Sequence, residues 1–80
     1  MKCTIGIPAY NEEKNIAKII TKLKKITNSI IVCDDGSSDM TSEISEELGV
    51  ILVRHKKNFG YGAAIKTIFQ KAKEIGRAHV

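Results

Sequence analysis

The sequence predicts an α/β fold, a three-layer βαβαβα unit whose strands form one parallel sheet. Two observations carry this. Along the 80 residues, short β-branched runs alternate with stretches in which apolar residues recur every three or four positions. The second of those runs, residues 29–33, is apolar on both faces, as a strand sandwiched between helices must be. Right-handed crossovers between such strands bring all their carboxyl ends to one edge.

Each element has a local cause. Residues 2–8 read as the first strand, built on Ile5 and Ile7 and ended by Pro8. Residues 12–26 read as a helix, with Ile16, Ile19, Ile20, Leu23 and Ile26 along one stripe. Asn11 is a suitable N-cap for it, and Glu12 and Glu13 place negative charge in its first turn. After the second strand, Gly36-Ser37-Ser38-Asp39 is turn chemistry, with the last three as turn and cap residues. A short helix over 41–48 turns Ile44 and Leu48 inward and stops at Gly49, and residues 50–53 make the third strand. The last helix follows the loop over 56–62 and sets Ala64, Ile65, Ile68, Phe69 and Ala72 on its inner side.

Composition removes several function classes. There are 13 basic and 9 acidic residues, for a net charge of +4, yet nearly all the basic residues are lysines and tryptophan is absent. Nucleic-acid recognition favours arginine forks and stacking aromatics, so no nucleic-acid partner is expected. No apolar run approaches the about 20 residues that span a bilayer, and no signal-peptide pattern opens the chain. Cys3 and Cys33 lie in apolar runs without metal-ligand or CxxC spacing. They read as buried thiols of a reducing compartment, so a cytoplasmic location is expected. Lys14, Lys18, Lys22 and Lys25 read as a solvated helix face, and His55, with no partner at ligand spacing, as a surface histidine.

Ligands of parallel α/β sheets bind in the crevice at the carboxyl edge. The first strand delivers Pro8, Tyr10, Asn11 and Glu12 there, the second Asp34 and Asp35, the third Arg54, His55, Lys56 and Lys57. Helix N-termini facing that edge suit a phosphate, so the expected ligand bears phosphate and a polar head group. Neighbouring strand residues point to opposite faces, so Asp34 and Asp35 are not expected to share a metal. One would face the crevice and accept N–H donors while the other orients the loop; the competing reading makes both turn residues. Tyr10 either stacks on a planar base or covers the sheet edge, and Glu12 either meets ligand or serves as first-turn charge. Gly60-Tyr61-Gly62 does not fit the dinucleotide fingerprint. A phosphorylated receiver domain would need an aspartate where Arg54 and His55 stand.

Three motifs in register, Ile7-Pro8-Ala9-Tyr10-Asn11-Glu12-Glu13, Val32-Cys33-Asp34-Asp35-Gly36-Ser37-Ser38-Asp39 and Asn58-Phe59-Gly60-Tyr61-Gly62-Ala63-Ala64, resemble the N-terminal part of family 2 glycosyltransferases. These are inverting enzymes of the GT-A fold that include dolichol-phosphate mannose synthase. The resemblance covers residues 2–74 and implies the nucleotide-sugar-binding half of such an enzyme, an incomplete GT-A sheet. It implies that Pro8, Tyr10, Asn11 and Glu12 line the nucleotide pocket, that Asp35 contacts the base with Cys33 against it, and that Asp34 belongs to the same site. It also implies a UDP- or GDP-sugar donor and, from the third motif, a polyprenyl-phosphate acceptor at a membrane face.

Family members bind Mg²⁺ or Mn²⁺ through an Asp-x-Asp on the next strand, and no Asp or Glu follows Glu74 here. Neither a catalytic residue nor a metal ligand is therefore assigned within the 80 residues, and the isolated chain is expected to transfer nothing. The alternative is a non-catalytic nucleotide- or phosphate-binding module. Residues 75–80 can be back-translated into the start of a common sequencing adapter, so they are expected to be a read-through tail after a native sequence ending near Glu74.

Overall fold

The computed structural model describes residues 3–78. Its elements are β1 (Thr4–Ala9), α1 (Ile16–Leu23), β2 (Ser29–Asp34), α2 (Thr41–Glu47), β3 (Ile51–Arg54) and α3 (Tyr61–Ala78). The strands form one parallel sheet in the order β1-β2-β3, the α/β class and element order the hydrophobic periods predict. Asp34 is level with Ala9 on one side and with Arg54 on the other, so the three carboxyl ends finish in a row.

The central strand explains the layering. On one face Ile30 and Val32 pack with Ala9, Ile16 and Ile20, and Ile44 of α2 and Leu48 just after it close this layer. On the other face Ile31 and Cys33 pack against Ala64 and Ile68 of α3. Both faces of β2 are thereby dry, and each isoleucine buried there contributes about 1.5–3 kcal/mol relative to exposure. Among the described residues no helix is long and apolar enough to cross a membrane.

Four local expectations are corrected. The first helix starts at Ile16, where its stripe begins and four residues later than expected from an Asn11 cap with Glu12 and Glu13 in the first turn, and Asn11 is not its N-cap. Asn11 instead has a φ of +51°. The cause is non-local: the backbone N–H groups of Asn11, Glu12 and Glu13 donate to Ser37 Oγ, Thr41 Oγ1 and Asp39 Oδ2 across 26 to 29 residues of sequence. Pinned to the loop after β2, this segment cannot also wind into a helix. Ile19 and Ile26 are exposed, because the short α1 presents only Ile16, Ile20 and Leu23 to the sheet. Phe69 is 65% exposed, beside rather than on the narrow stripe of Ala64, Ile68, Ala72 and Ile75. Cys3 precedes β1 and is exposed, so only Cys33 is the buried thiol the sequence suggests.

Other expectations hold. Gly49 ends α2 with a φ of +77°, and Lys14, Lys18, Lys22 and Lys25 are all exposed. Lys2 of the expected first strand, and His79 and Val80 of the expected tail, lie outside the described residues.

Candidate functional site

Three loops leave the level strand ends side by side and enclose a cleft of about 280 Å³. Pro8, Tyr10 and Glu12 line it from the end of β1, Asp35 from the end of β2, and Asn58 and Tyr61 from the approach to α3. The parallel ladder continues one residue past the strands. Asp35 N–H donates to the Ala9 carbonyl at 2.8 Å and His55 N–H to the Asp34 carbonyl at 2.9 Å. This extension sets His55 beside Asp35, which lines the cleft.

Asp35 is the best-held side chain of the site. Its Oδ1 accepts from His55 Nδ1 at 2.8 Å and from the Phe59 N–H at 2.9 Å, and its Oδ2 accepts from the Gly60 N–H at 2.9 Å. Burial pushes its pKa up, but these donors together outweigh burial and hold the carboxyl below its ordinary value of 3.8. The group is therefore ionised, and because a carboxylate only accepts, His55 Nδ1 must carry the proton. His55 Nε2 meets Thr67 Oγ1 at 2.8 Å and Cys33 Sγ at 3.6 Å. Phe59 meets the imidazole edge-on at 5.5 Å. Burial first, then the charges of Asp35 and Asp34, push the Cys33 thiol up to about 11, so at neutral pH it is protonated and no nucleophile.

Asp34 turns the other way. Fully buried, it accepts the Ser37 N–H at 2.9 Å through Oδ1 and the Ser42 hydroxyl through Oδ2. It ties the turn after β2 to the first turn of α2. Asp39 acts likewise at the surface of that turn, accepting the Thr41 N–H at 2.9 Å. Burial opposes its ionisation, but the Thr41 hydroxyl and the Thr41 and Glu13 N–H groups win and lower its pKa. The Asn11 Oδ1 accepts the Ser38 N–H at 2.9 Å.

Gly36 lets this loop lie against the next one. Its φ is +77°, and a Cβ there would fall 2.3 Å from the Lys57 carbonyl carbon and 2.6 Å from Asn58 N. Only glycine satisfies both the left-handed backbone and the approach of the two chains.

The structure therefore sorts the residues singled out in the sequence. Pro8, Tyr10, Glu12 and Asp35 meet at the cleft. Asn11, Cys33 and Asp34 stand behind it, spent on holding the loops and the imidazole. His55 corrects its reading as a surface histidine: its side chain is 13% exposed and locked between Asp35 and Thr67. Strand register could have found it, since the offset of 20 that pairs Ile31 with Ile51 also brings residue 55 beside residue 35. Thr67, Thr41 and Ser42 were missed as well, and nothing in their local sequence marks them. Among the described residues no group of three His, Cys, Asp or Glu side chains could hold a metal ion. With Asp34 and Asp35 each committed to separate partners, the pair does not fit a divalent cation.

A level parallel edge with a cleft lined by an ionised acid whose donors are fixed is the arrangement in which α/β units of this kind take polar small molecules. Residues 4–74 match the family model described as glycosyl transferase family 2, and the chain belongs to that family. It is 50% identical over 64 residues to an uncharacterized protein of Methanocaldococcus jannaschii, covering 79% of this chain and 26% of the relative. It is 38% identical over 88 residues to the UDP-N-acetylglucosamine–dolichyl-phosphate N-acetylglucosaminyltransferase of Methanococcus voltae, covering 88% of this chain and 35% of that enzyme. With the dolichol-phosphate mannosyltransferase of Pyrococcus furiosus identity is 32% over 80 residues, covering 90% of this chain and 23% of the relative. The chain thus spans about a quarter to a third of the length of these relatives. No solved structure matches it significantly.

Proposed function

We propose that residues 1–74 form the donor-binding half of a glycosyltransferase that moves a sugar from a UDP- or GDP-sugar to a lipid phosphate or glycan. The observation that carries this reading is the Asp35-centred cleft: an ionised acceptor held by His55 and two loop amides, with Tyr10 beside it to cover a planar base. Asp35 would take an N–H of the base, and Pro8 and Glu12 would shape the wall. The names of the Methanococcus and Pyrococcus relatives, which act on dolichyl phosphates, support a polyprenyl-phosphate acceptor.

Transfer with inversion requires an acceptor oxygen to attack the anomeric carbon as the nucleoside diphosphate leaves. A divalent cation, Mg²⁺ or Mn²⁺, belongs to this proposal only as part of a longer polypeptide, held by residues other than those described. The 80-residue chain by itself would bind nucleotide and transfer nothing, working at the cytoplasmic face of a membrane only in that longer context.

The test is to incubate the chain, and a longer polypeptide containing it, with radiolabelled nucleotide sugars, Mg²⁺ or Mn²⁺ and polyprenyl phosphate. Labelled lipid should form with the longer polypeptide and not with the chain. A longer polypeptide inert toward every nucleotide sugar, or transfer by the chain alone, would overturn the reading.

A further inference from the structure

Asp35 has about four lone-pair positions with which to accept hydrogen bonds. Three are taken internally: His55 Nδ1 and the Phe59 amide fill Oδ1 at 2.8 and 2.9 Å, and the Gly60 amide takes one place on Oδ2 at 2.9 Å. One acceptor position on Oδ2 is left for anything in the cleft. From this geometry we infer that the site selects uracil over guanine, with His55 as the positioning residue that sets the preference. The inference rests on the nucleotide reading above and names its base.

The chemistry of the base edges decides. Uracil offers a single ring N–H flanked by two carbonyl oxygens, which one acceptor position satisfies. Guanine offers two parallel donors, a ring N–H and an amino N–H, and a carboxylate takes both only through both oxygens. Here Oδ1 is closed, so one guanine donor loses its partner at a nearly buried carboxylate. Cytosine is worse placed, since its ring nitrogen aims a lone pair at the anion. Loss of one such bond corresponds to about tenfold or more in affinity.

His55 holds Oδ1 closed because it cannot turn away. Thr67 Oγ1 fixes Nε2 at 2.8 Å, and Phe59 packs edge-on against the ring at 5.5 Å and 75°. Lys57 Nζ in turn lies 5.5 Å from the centroid of the Phe59 ring. The imidazole therefore stays on Asp35 whether or not the cleft is filled.

The experiment measures affinities of UDP, GDP and CDP for the 80-residue chain by calorimetry at fixed salt, then repeats them with His55→Leu and His55→Asn. UDP should bind about tenfold or more tighter than GDP and CDP. His55→Leu opens a place on Oδ1 and should bring the UDP-to-GDP ratio toward unity, whereas His55→Asn, which keeps an N–H donor near the Nδ1 position, should retain most of the preference. Equal or tighter GDP or CDP binding by the unaltered chain overturns the inference while leaving nucleotide binding intact. Binding of none of the three removes the nucleotide reading and this inference with it. A His55→Leu chain that weakens both nucleotides equally shows a merely structural histidine and overturns its positioning role. Should His55→Leu not fold, the ratios of the unaltered chain and of His55→Asn decide.

Discussion

Replacing Gly36 by alanine tests whether the two loops that build the cleft rest on one another. The added Cβ would lie 2.3 Å from the Lys57 carbonyl carbon, 2.6 Å from Asn58 N and 2.7 Å from Lys57 Cα. All three atoms are backbone, so no rotamer change relieves them. Reaching ordinary contact at 3.4 Å requires a movement of 3.4 − 2.3 = 1.1 Å. The same loop donates the Phe59 and Gly60 amides to Asp35, each at 2.9 Å. A movement of that size along those bonds stretches them to about 4.0 Å, beyond hydrogen-bond reach. Gly49 supplies the control, with the same φ of +77° but only the end of the Lys24 side chain, at 3.6 Å, near its would-be Cβ. Gly49→Ala should cost the left-handed penalty alone, about 1–2 kcal/mol. Gly36→Ala adds the loss of at least one hydrogen bond to a charged group, for a total of about 3–5 kcal/mol. At this chain length each kcal/mol moves Tm by about 4–8 °C, so the two variants separate clearly. Urea denaturation followed by circular dichroism gives the free energies, and hydrogen exchange at the Phe59 and Gly60 amides reports the loop. Equal destabilisation of both variants, with those two amides unchanged, would refute the close approach.

Three further outcomes follow from the same contacts. Asp35 titrates below its unfolded value of 3.8, so its stabilising contribution is complete above that value and is lost as pH falls through the folded pKa. Urea melts should show stability dropping below about pH 4, and Asp35→Asn should flatten that part of the slope; an unchanged slope would contradict it. Asp34→Ala leaves the buried Ser37 amide and Ser42 hydroxyl unpaired and should cost about 2–4 kcal/mol, with a marked non-additivity against Ser42→Ala in a double-mutant cycle. Thiol titration of the folded chain should modify the exposed Cys3 readily and Cys33, protonated and buried, only after unfolding; rapid labelling of Cys33 at neutral pH would contradict its assignment as an inert thiol.

The layers were legible because they rest on local periodicity. Ile30 to Cys33 in one unbroken apolar run leaves no face for water, and that alone calls for helices on both sides of a parallel strand. The carboxyl edge was legible for the same reason, since parallel strands finish together. What escaped was set by contacts between distant residues. Asn11 looks like a helix cap, but Ser37 and Ser38 claim it from 26 and 27 residues away and send it left-handed. His55 looks solitary because its partners, Asp35 and Thr67, lie 20 and 12 residues off and meet it only through register and the packing of α3. Of the adjacent acids, the family motif pointed to Asp35 as the one that meets ligand and kept Asp34 in the same site; the fold adds that Asp35 lines the cleft while Asp34 is spent on the loop.

The central claim is that the Asp35 cleft is where nucleotide binds. Titrating ¹⁵N-labelled chain with UDP and following amide shifts tests it directly. The account predicts saturable changes concentrated at Tyr10, Asp35, Phe59 and Gly60, with the apolar groove between α1 and α2, lined by Met40, Ile44 and Leu48, left unmoved. Saturation centred on that groove, or no change at the strand ends at millimolar UDP, would contradict it.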